Sequence, residues 1–166
     1  MKRLLMRSKM LLVLALSGAA TRSSAQAAPE KAAPFRRANV VRLYTAAAPA
    51  DVLHALAYNL CQRGFALDSV AYEAGVVTTQ PTIPPGTESW PLVVRLTRFA
   101  GGVELTGTFT TGLAGPAGVA RYPAEFWGFD WSPAKKTFRE LETTARSFGG
   151  EVRFSRRRVA TWGTVK

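Results

Sequence analysis

One cysteine and one histidine in 166 residues leave almost nothing from which to build a nitrogen- or sulfur-ligated metal centre, and no partner for a disulfide. Neither a metal nor a cofactor is therefore expected. Long hydrophobic runs are equally scarce. The one continuous apolar stretch, Met10 to Ala20, falls well short of the roughly 20 residues that a helix needs to cross a bilayer. Phosphate-cradling loops are missing too, because Gly112, Gly115 and Gly118 lack a following lysine and a strand-to-helix setting. No Gly-x-Ser-x-Gly elbow occurs. The acids Glu104, Glu125, Asp130, Glu140 and Glu142 form no two-carboxylate pattern, and Glu140 is expected to pair with Lys136 on a helix surface.

What remains is the composition of a globular chain: 47% apolar and 20% charged residues exclude a disordered or collagen-like polymer. Lys2, Arg3, Arg7 and Lys9, the short apolar core and the small residues of Ala25-Gln26-Ala27 make up a three-part secretory signal. Cleavage is expected after Ala27, leaving a periplasmic or secreted protein. A lipid anchor would need a cysteine directly after that site, and Cys61 lies far downstream. In an oxidising compartment a lone thiol is expected to be buried, as its place in an apolar helix pattern suggests.

The formal charge of +11 suggests nucleic acid until it is divided along the chain. Five of the 22 basic residues lie in the signal, and the stretch Ala38 to Gly150 is neutral. The excess lies at the two ends of the mature chain, so no basic stripe on a folded face is expected and nucleic acid is not a predicted partner. Arg156, Arg157 and Arg158 form a basic tail that either contacts an anionic envelope surface or an acidic partner, or is a solvated strand end.

Punctuation and periodicity predict a signal over 1–27, a flexible lead-in over 28–37, one domain over 38–159 and a tail over 160–166. Asn39 to Thr45 reads as a strand. Pro49 and Asp51 open a helix whose apolar face is Val52, Leu53, Leu56, Leu60 and Cys61, with Gly64 as its stop. Phe65 to Tyr72 and Val76 to Gln80 should pair around Glu73-Ala74-Gly75, and Pro81 to Glu88 should be an edge loop. Trp90 to Ala100 and Val103 to Thr111 flank Gly101-Gly102 as a second hairpin. Its other face, with Arg95, Thr97, Glu104, Thr106, Thr108 and Thr110, should meet water. Gly112 to Gly118 reads as a flexible loop. Ser132-Pro133 should cap a helix with Phe138, Leu141, Ala145 and Phe148 on one stripe, followed by a last strand from Val152. The expected fold is α+β: an antiparallel sheet of about six strands with two helices on one face, in the order β-α-β-β-β-β-α-β.

The densest aromatic segment, Tyr122-Pro-Ala-Glu-Phe126-Trp127-Gly-Phe129-Asp-Trp131, is the best binding candidate. Tyr122, Phe126, Trp127, Phe129 and Trp131, with Trp90 at the same rim, suit a partner protein, a sugar or an apolar ligand. The same residues equally suit a cap over the open end of the core. A second functional class is a small-ligand carrier, with Trp90, Phe109, Phe126 and Trp127 lining a cavity between sheet and helix. A third is an enzyme using His54, one helical turn from Asp51 and from Tyr58. An exposed helix surface is a poor catalytic cradle, and no nucleophile can be named beside it.

The run Leu60-Cys-Gln-Arg-Gly64-Phe65, followed by Leu67, Val70 and Gly75-Val76-Val77-Thr78-Thr79, resembles the helix-then-hairpin segment of BamC-type envelope lipoproteins. The likeness spans residues 51–80, and Pro133 to Phe154 suit the same layout. It implies a helix-grip fold and an accessory envelope role through protein contacts without catalysis, although this chain lacks the family's lipid-bearing cysteine. The function expected from the sequence is thus an exported, non-catalytic module that binds another envelope component.

Overall fold

A computed structural model describes residues 29–84, 90–115 and 118–158. The expected signal, the tail beyond Arg158 and part of the Pro81 to Glu88 loop lie outside the described residues. The described residues form an α+β fold of seven strands and two helices: β1 (Val40–Tyr44), α1 (Pro49–Gln62), β2 (Leu67–Ala71), β3 (Val76–Thr79), β4 (Leu92–Phe99), β5 (Gly102–Gly115), β6 (Gly118–Pro123), α2 (Pro133–Ser147) and β7 (Glu151–Ser155). The sheet is antiparallel throughout and runs β2-β3-β4-β5-β1-β7, with β6 paired to β5.

Both helices pack on one face for the reason their sequences suggest. In α1, Pro49 sits in the first turn beside Asp51, and Val52, Leu53, Leu56, Ala57 and Leu60 are buried. In α2 the buried stripe is Thr137, Phe138, Leu141, Thr144 and Ala145. Its two threonines return their hydroxyls to the preceding turn, Thr137 to Pro133 O and Thr144 to Glu140 O, so the stripe hides no unpaired donor. α2 lies close against β5 at Gly107. A Cβ there would approach both Leu92 and Leu141 to within 3.3 Å, so glycine sets the distance between helix and sheet. Arg63, at the end of α1, joins the helices by reaching Thr144 and Glu140. Glu140 therefore meets Arg63 in place of the expected Lys136, because the end of α1 brings that guanidinium against Glu140 and Thr144 together.

Cys61 is exposed, contrary to the expectation of burial. The helix stops one residue later, and the Phe65 N–H closes back on Leu60 O, so that buried Phe65 seals this end of the core. The described part of Gly112 to Gly118 also departs from the expected flexible loop, with 116–117 outside the described residues. β5 continues through Gly115 and pairs with β6 from Thr108↔Pro123 to Gly115↔Gly118, with a register shift between Thr110 and Ala114.

The face away from the helices is partly covered. Arg42 stands between Glu104 on β5 and Arg153 on β7 in the strand register. Its Nε and Nη2 both donate to Glu104 Oε2, at 3.1 and 3.0 Å, and Arg157 Nη2 donates to Oε1 at 2.6 Å. Glu104, expected to face water, is only 5% exposed. The segment expected as a flexible lead-in makes specific contacts here. Lys31 exchanges both backbone bonds with Phe154, and Glu30 accepts from Arg42 and from the Tyr44 hydroxyl. Burial, then the bond to Glu30, raises the Tyr44 phenol above its ordinary range.

Candidate functional site

The aromatic segment leaves the sheet at the end of β6 and is held by backbone bonds on both sides. Ala124 N–H donates to Gly107 O, Phe126 N–H to Ala38 O, and Arg37 N–H to Phe126 O. From there to α2 the chain makes a closed turn. Gly128 has φ +87, the Ser132 N–H donates to Phe129 O, and the Ser132 hydroxyl donates to Trp127 O at 2.8 Å. Ser132 thus occupies the expected N-cap position, with Pro133 following, but its hydroxyl closes the preceding loop and leaves the helix end uncapped by a side chain. A Cβ on Gly128 would meet that hydroxyl at 2.8 Å, on a backbone conformation that already disfavours side chains.

This turn sorts the aromatic rings into two groups. Phe126 points inward, its ring 5.8 Å from that of fully buried Phe138, while Trp127 is half-buried. Phe129 and Trp131 point out and stack on each other, with centroids 5.6 Å apart and planes 8° from parallel. They are 72% and 71% exposed, the two most exposed large apolar side chains among the described residues. Between the groups lies an open cleft of about 530 Å³, lined by Arg36, Phe126, Trp127, Gly128, Phe129 and Lys135. The cap reading therefore holds for Phe126, whereas Phe129 and Trp131 stand open to water.

Two cations of the lining, Arg36 and Lys135, were missed in the sequence. Phe35 to Ala38 forms a tight turn closed by Ala38 N–H on Phe35 O, with Arg37 at φ +64. A non-glycine residue in that region costs on the order of 1 kcal/mol, and here the backbone bond from Arg37 to Phe126 O holds it. The turn sets the guanidinium groups of Arg36 and Arg37 at 4.1 and 4.9 Å from the Trp127 ring centroid. Lys135, in the first turn of α2, lies 4.6 Å from the Phe126 centroid. Such contacts contribute about 0.5–1 kcal/mol each when exposed. The one available signal was Arg36-Arg37 directly before the first strand, in a segment without periodicity.

Carboxylates complete the electrostatics. Asp130 accepts from Lys135 at 2.8 Å and from Arg139 at 2.9 Å, and Lys135 first, then Arg139, holds its carboxyl below the ordinary range. Glu125 is half-buried; burial pushes its carboxyl up, and the charges of Arg37 and Arg156 oppose that shift. The folded chain then holds this proton more tightly than the unfolded chain does. The ionised form costs stability at neutral pH, and the cost vanishes as pH falls through the raised value to below the ordinary glutamate range. Glu125→Gln is expected to raise the melting temperature at neutral pH and to give no such gain at strongly acidic pH, as paired thermal melts would show.

Of the basic tail, Arg156 is exposed and its charge opposes the rise at Glu125. Arg157 is committed to the fold, since its backbone N–H and C=O both bond the Asn39 side chain and its guanidinium bonds Glu104. Arg158 is exposed. Tyr122 is 44% exposed and packs on buried Phe109, 5.6 Å between centroids. Trp90 stands half-buried just before β4. Neither Trp90 nor Phe109 lines the cleft with Phe126 and Trp127, so the four residues expected around one cavity are not brought together. The space between helices and sheet is filled by fully buried Leu53, Leu56, Leu60, Leu96, Leu105, Phe138 and Leu141.

His54 is exposed on α1 and stacks on Tyr72 at 3.6 Å between centroids. No group of three His, Cys, Asp or Glu suited to a metal ion occurs among the described residues, and no described helix is long and apolar enough to cross a membrane. No protein-family model, curated protein or solved structure matches the chain.

Proposed function

We propose that this protein is a non-catalytic binding module of the bacterial envelope, exported by its leader and docking another envelope protein at the Trp127 cleft. The observation that carries this reading is the exposed Phe129–Trp131 stack beside a concave apolar surface. Large aromatic rings left in water on a rigid turn are the side chains that most often dominate binding energy at interfaces. The filled helix–sheet interface favours this surface over an internal ligand cavity. The likeness of residues 51–80 to BamC-type proteins supports the same accessory role.

A tagged pull-down from crosslinked envelope extract tests the reading, with retained proteins identified by mass spectrometry. A stoichiometric partner is expected with the native protein and is expected to be lost with the double variant Phe129→Ala, Trp131→Ala. Both rings are largely exposed, so this variant is expected to keep the native melting temperature within the small range usual for surface substitutions. A protein that returns alone, or with a partner indifferent to the variant, would overturn the assignment.

A further inference from the structure

The cationic rim of the cleft exceeds what the fold consumes. Lys135 and Arg139 share Asp130. Arg36, by contrast, has the Trp127 ring beneath it and no carboxylate within ion-pair distance among the described residues, and the same holds for Arg37 on the same ring. Below this guanidinium lies an apolar floor of Phe126, Trp127 and Phe129, with room in 530 Å³ for a large side chain. A carboxylate entering here displaces no existing ion pair, whereas a cation would meet Arg36, Arg37 and Lys135.

We infer that the cleft takes an acidic polypeptide segment, anchored by one large apolar side chain between Trp127 and Phe129, with a flanking carboxylate on Arg36. The inference rests on the docking function proposed above and adds the chemistry of the partner. A discrete peptide suits the site better than an anionic membrane does. The apolar rings line a cleft, and the tail cation Arg157 is bound to Glu104, so it is not free to join a flat lipid surface.

Three end-blocked synthetic pentapeptides test it: Glu-Glu-Leu-Glu-Glu, its neutral counterpart Gln-Gln-Leu-Gln-Gln, and Glu-Glu-Ala-Glu-Glu. Binding is read on the indole N–H resonances of Trp127 and Trp131, assigned by single Trp→Phe variants. The acidic leucine peptide is expected to shift these signals and to bind about fivefold or more tighter than either control at low salt, over the glutamine peptide by the size an exposed ion pair gives and over the alanine peptide by the apolar area that leucine buries. Raising salt from about 0.05 M to about 0.3 M should erase its advantage over the glutamine peptide. Arg36→Gln should lower the acidic peptide to the glutamine peptide's affinity and leave the latter unchanged. Equal binding of acidic and neutral peptides would refute the acidic partner while leaving a docking cleft in place. No shift with any peptide would refute a polypeptide in this cleft, and shifts produced by phosphatidylglycerol vesicles alone would assign the rim to a membrane surface. The pull-down above decides the docking function independently of all three.

Discussion

Phe138→Ala is expected to cost about 3–5 kcal/mol, the range for truncating a fully enclosed aromatic ring. Phe138 is completely buried on α2, with the ring of Phe126 at 5.8 Å and that of Phe154 at 6.0 Å. Removing it empties the volume between the helix, β7 and the aromatic turn, and none of the three can collapse freely. The turn is bonded to Ala38 and Gly107, and β7 is bonded to β1. Native domains are stable by only about 5–15 kcal/mol, so the loss is a large fraction of the whole and should lower the melting temperature by about 10 °C or more. Denaturant unfolding of the variant, with Phe138→Leu as a smaller truncation, would measure it. A cost below about 1 kcal/mol would mean that the ring is not enclosed as described. Because Phe126 is also a wall of the cleft, the same variant should loosen the site before it unfolds the domain.

Glu104→Gln is expected to cost about 1.5–3 kcal/mol, the range for hydrogen bonds to a charged group, because Arg42 loses one of its two carboxylates and the buried side chain loses its charge. The carboxylate is 5% exposed and takes three donated bonds, two from Arg42 and one from Arg157. An amide of the same shape preserves packing, but its single oxygen can accept from only one of the two arginines, its NH2 opposes the other, and Arg42 keeps Glu30 as its one carboxylate. The two arginines should respond unequally. Arg157 is 59% exposed at its side chain, so Arg157→Ala should cost about 1 kcal/mol or less through this ion pair, plus whatever the backbone near Asn39 contributes. Urea unfolding of the two single variants and their combination forms a double-mutant cycle. An Arg157→Ala cost equal to that of Glu104→Gln would contradict a network centred on Arg42.

Much of the framework is legible in the sequence where one local rule acts unopposed. Pro49 with Asp51 and Pro133 after Ser132 mark both helix starts to the residue, and each helix carries a single apolar stripe. The strands around Glu73-Ala74-Gly75 and Gly101-Gly102 pair as the spacing predicts. What the sequence hid depends on partners distant along the chain. Gly112, Gly115 and Gly118 lower strand propensity enough to read as a loop, yet backbone pairing of β5 with β6 overrides it. Glu104 alternates with apolar residues as a water-facing residue does. Its burial needs Arg42 from β1 and Arg157 from the chain end, 62 and 53 residues away.

The site divides along the same line. Phe126, Trp127, Phe129 and Trp131 are visible as an aromatic cluster, but the turn at Gly128 decides which rings face the core and which face water. Arg36 and Arg37 carry no periodic signal. They reach Trp127 only because a left-handed residue at Arg37 folds the chain before β1 back against Phe126 O.

The measurement that bears most directly on the docking function is site-specific photocrosslinking in cells. A photoreactive phenylalanine analogue replaces Phe129 in one strain and Tyr58 in another. The two positions are comparably exposed, at 72% and 67%, but Tyr58 lies on α1 and outside the cleft. Illumination is expected to give a discrete protein adduct at position 129, absent at position 58 and diminished by Arg36→Gln. No adduct at 129, or the same products at both positions, would contradict a partner at the Trp127 cleft.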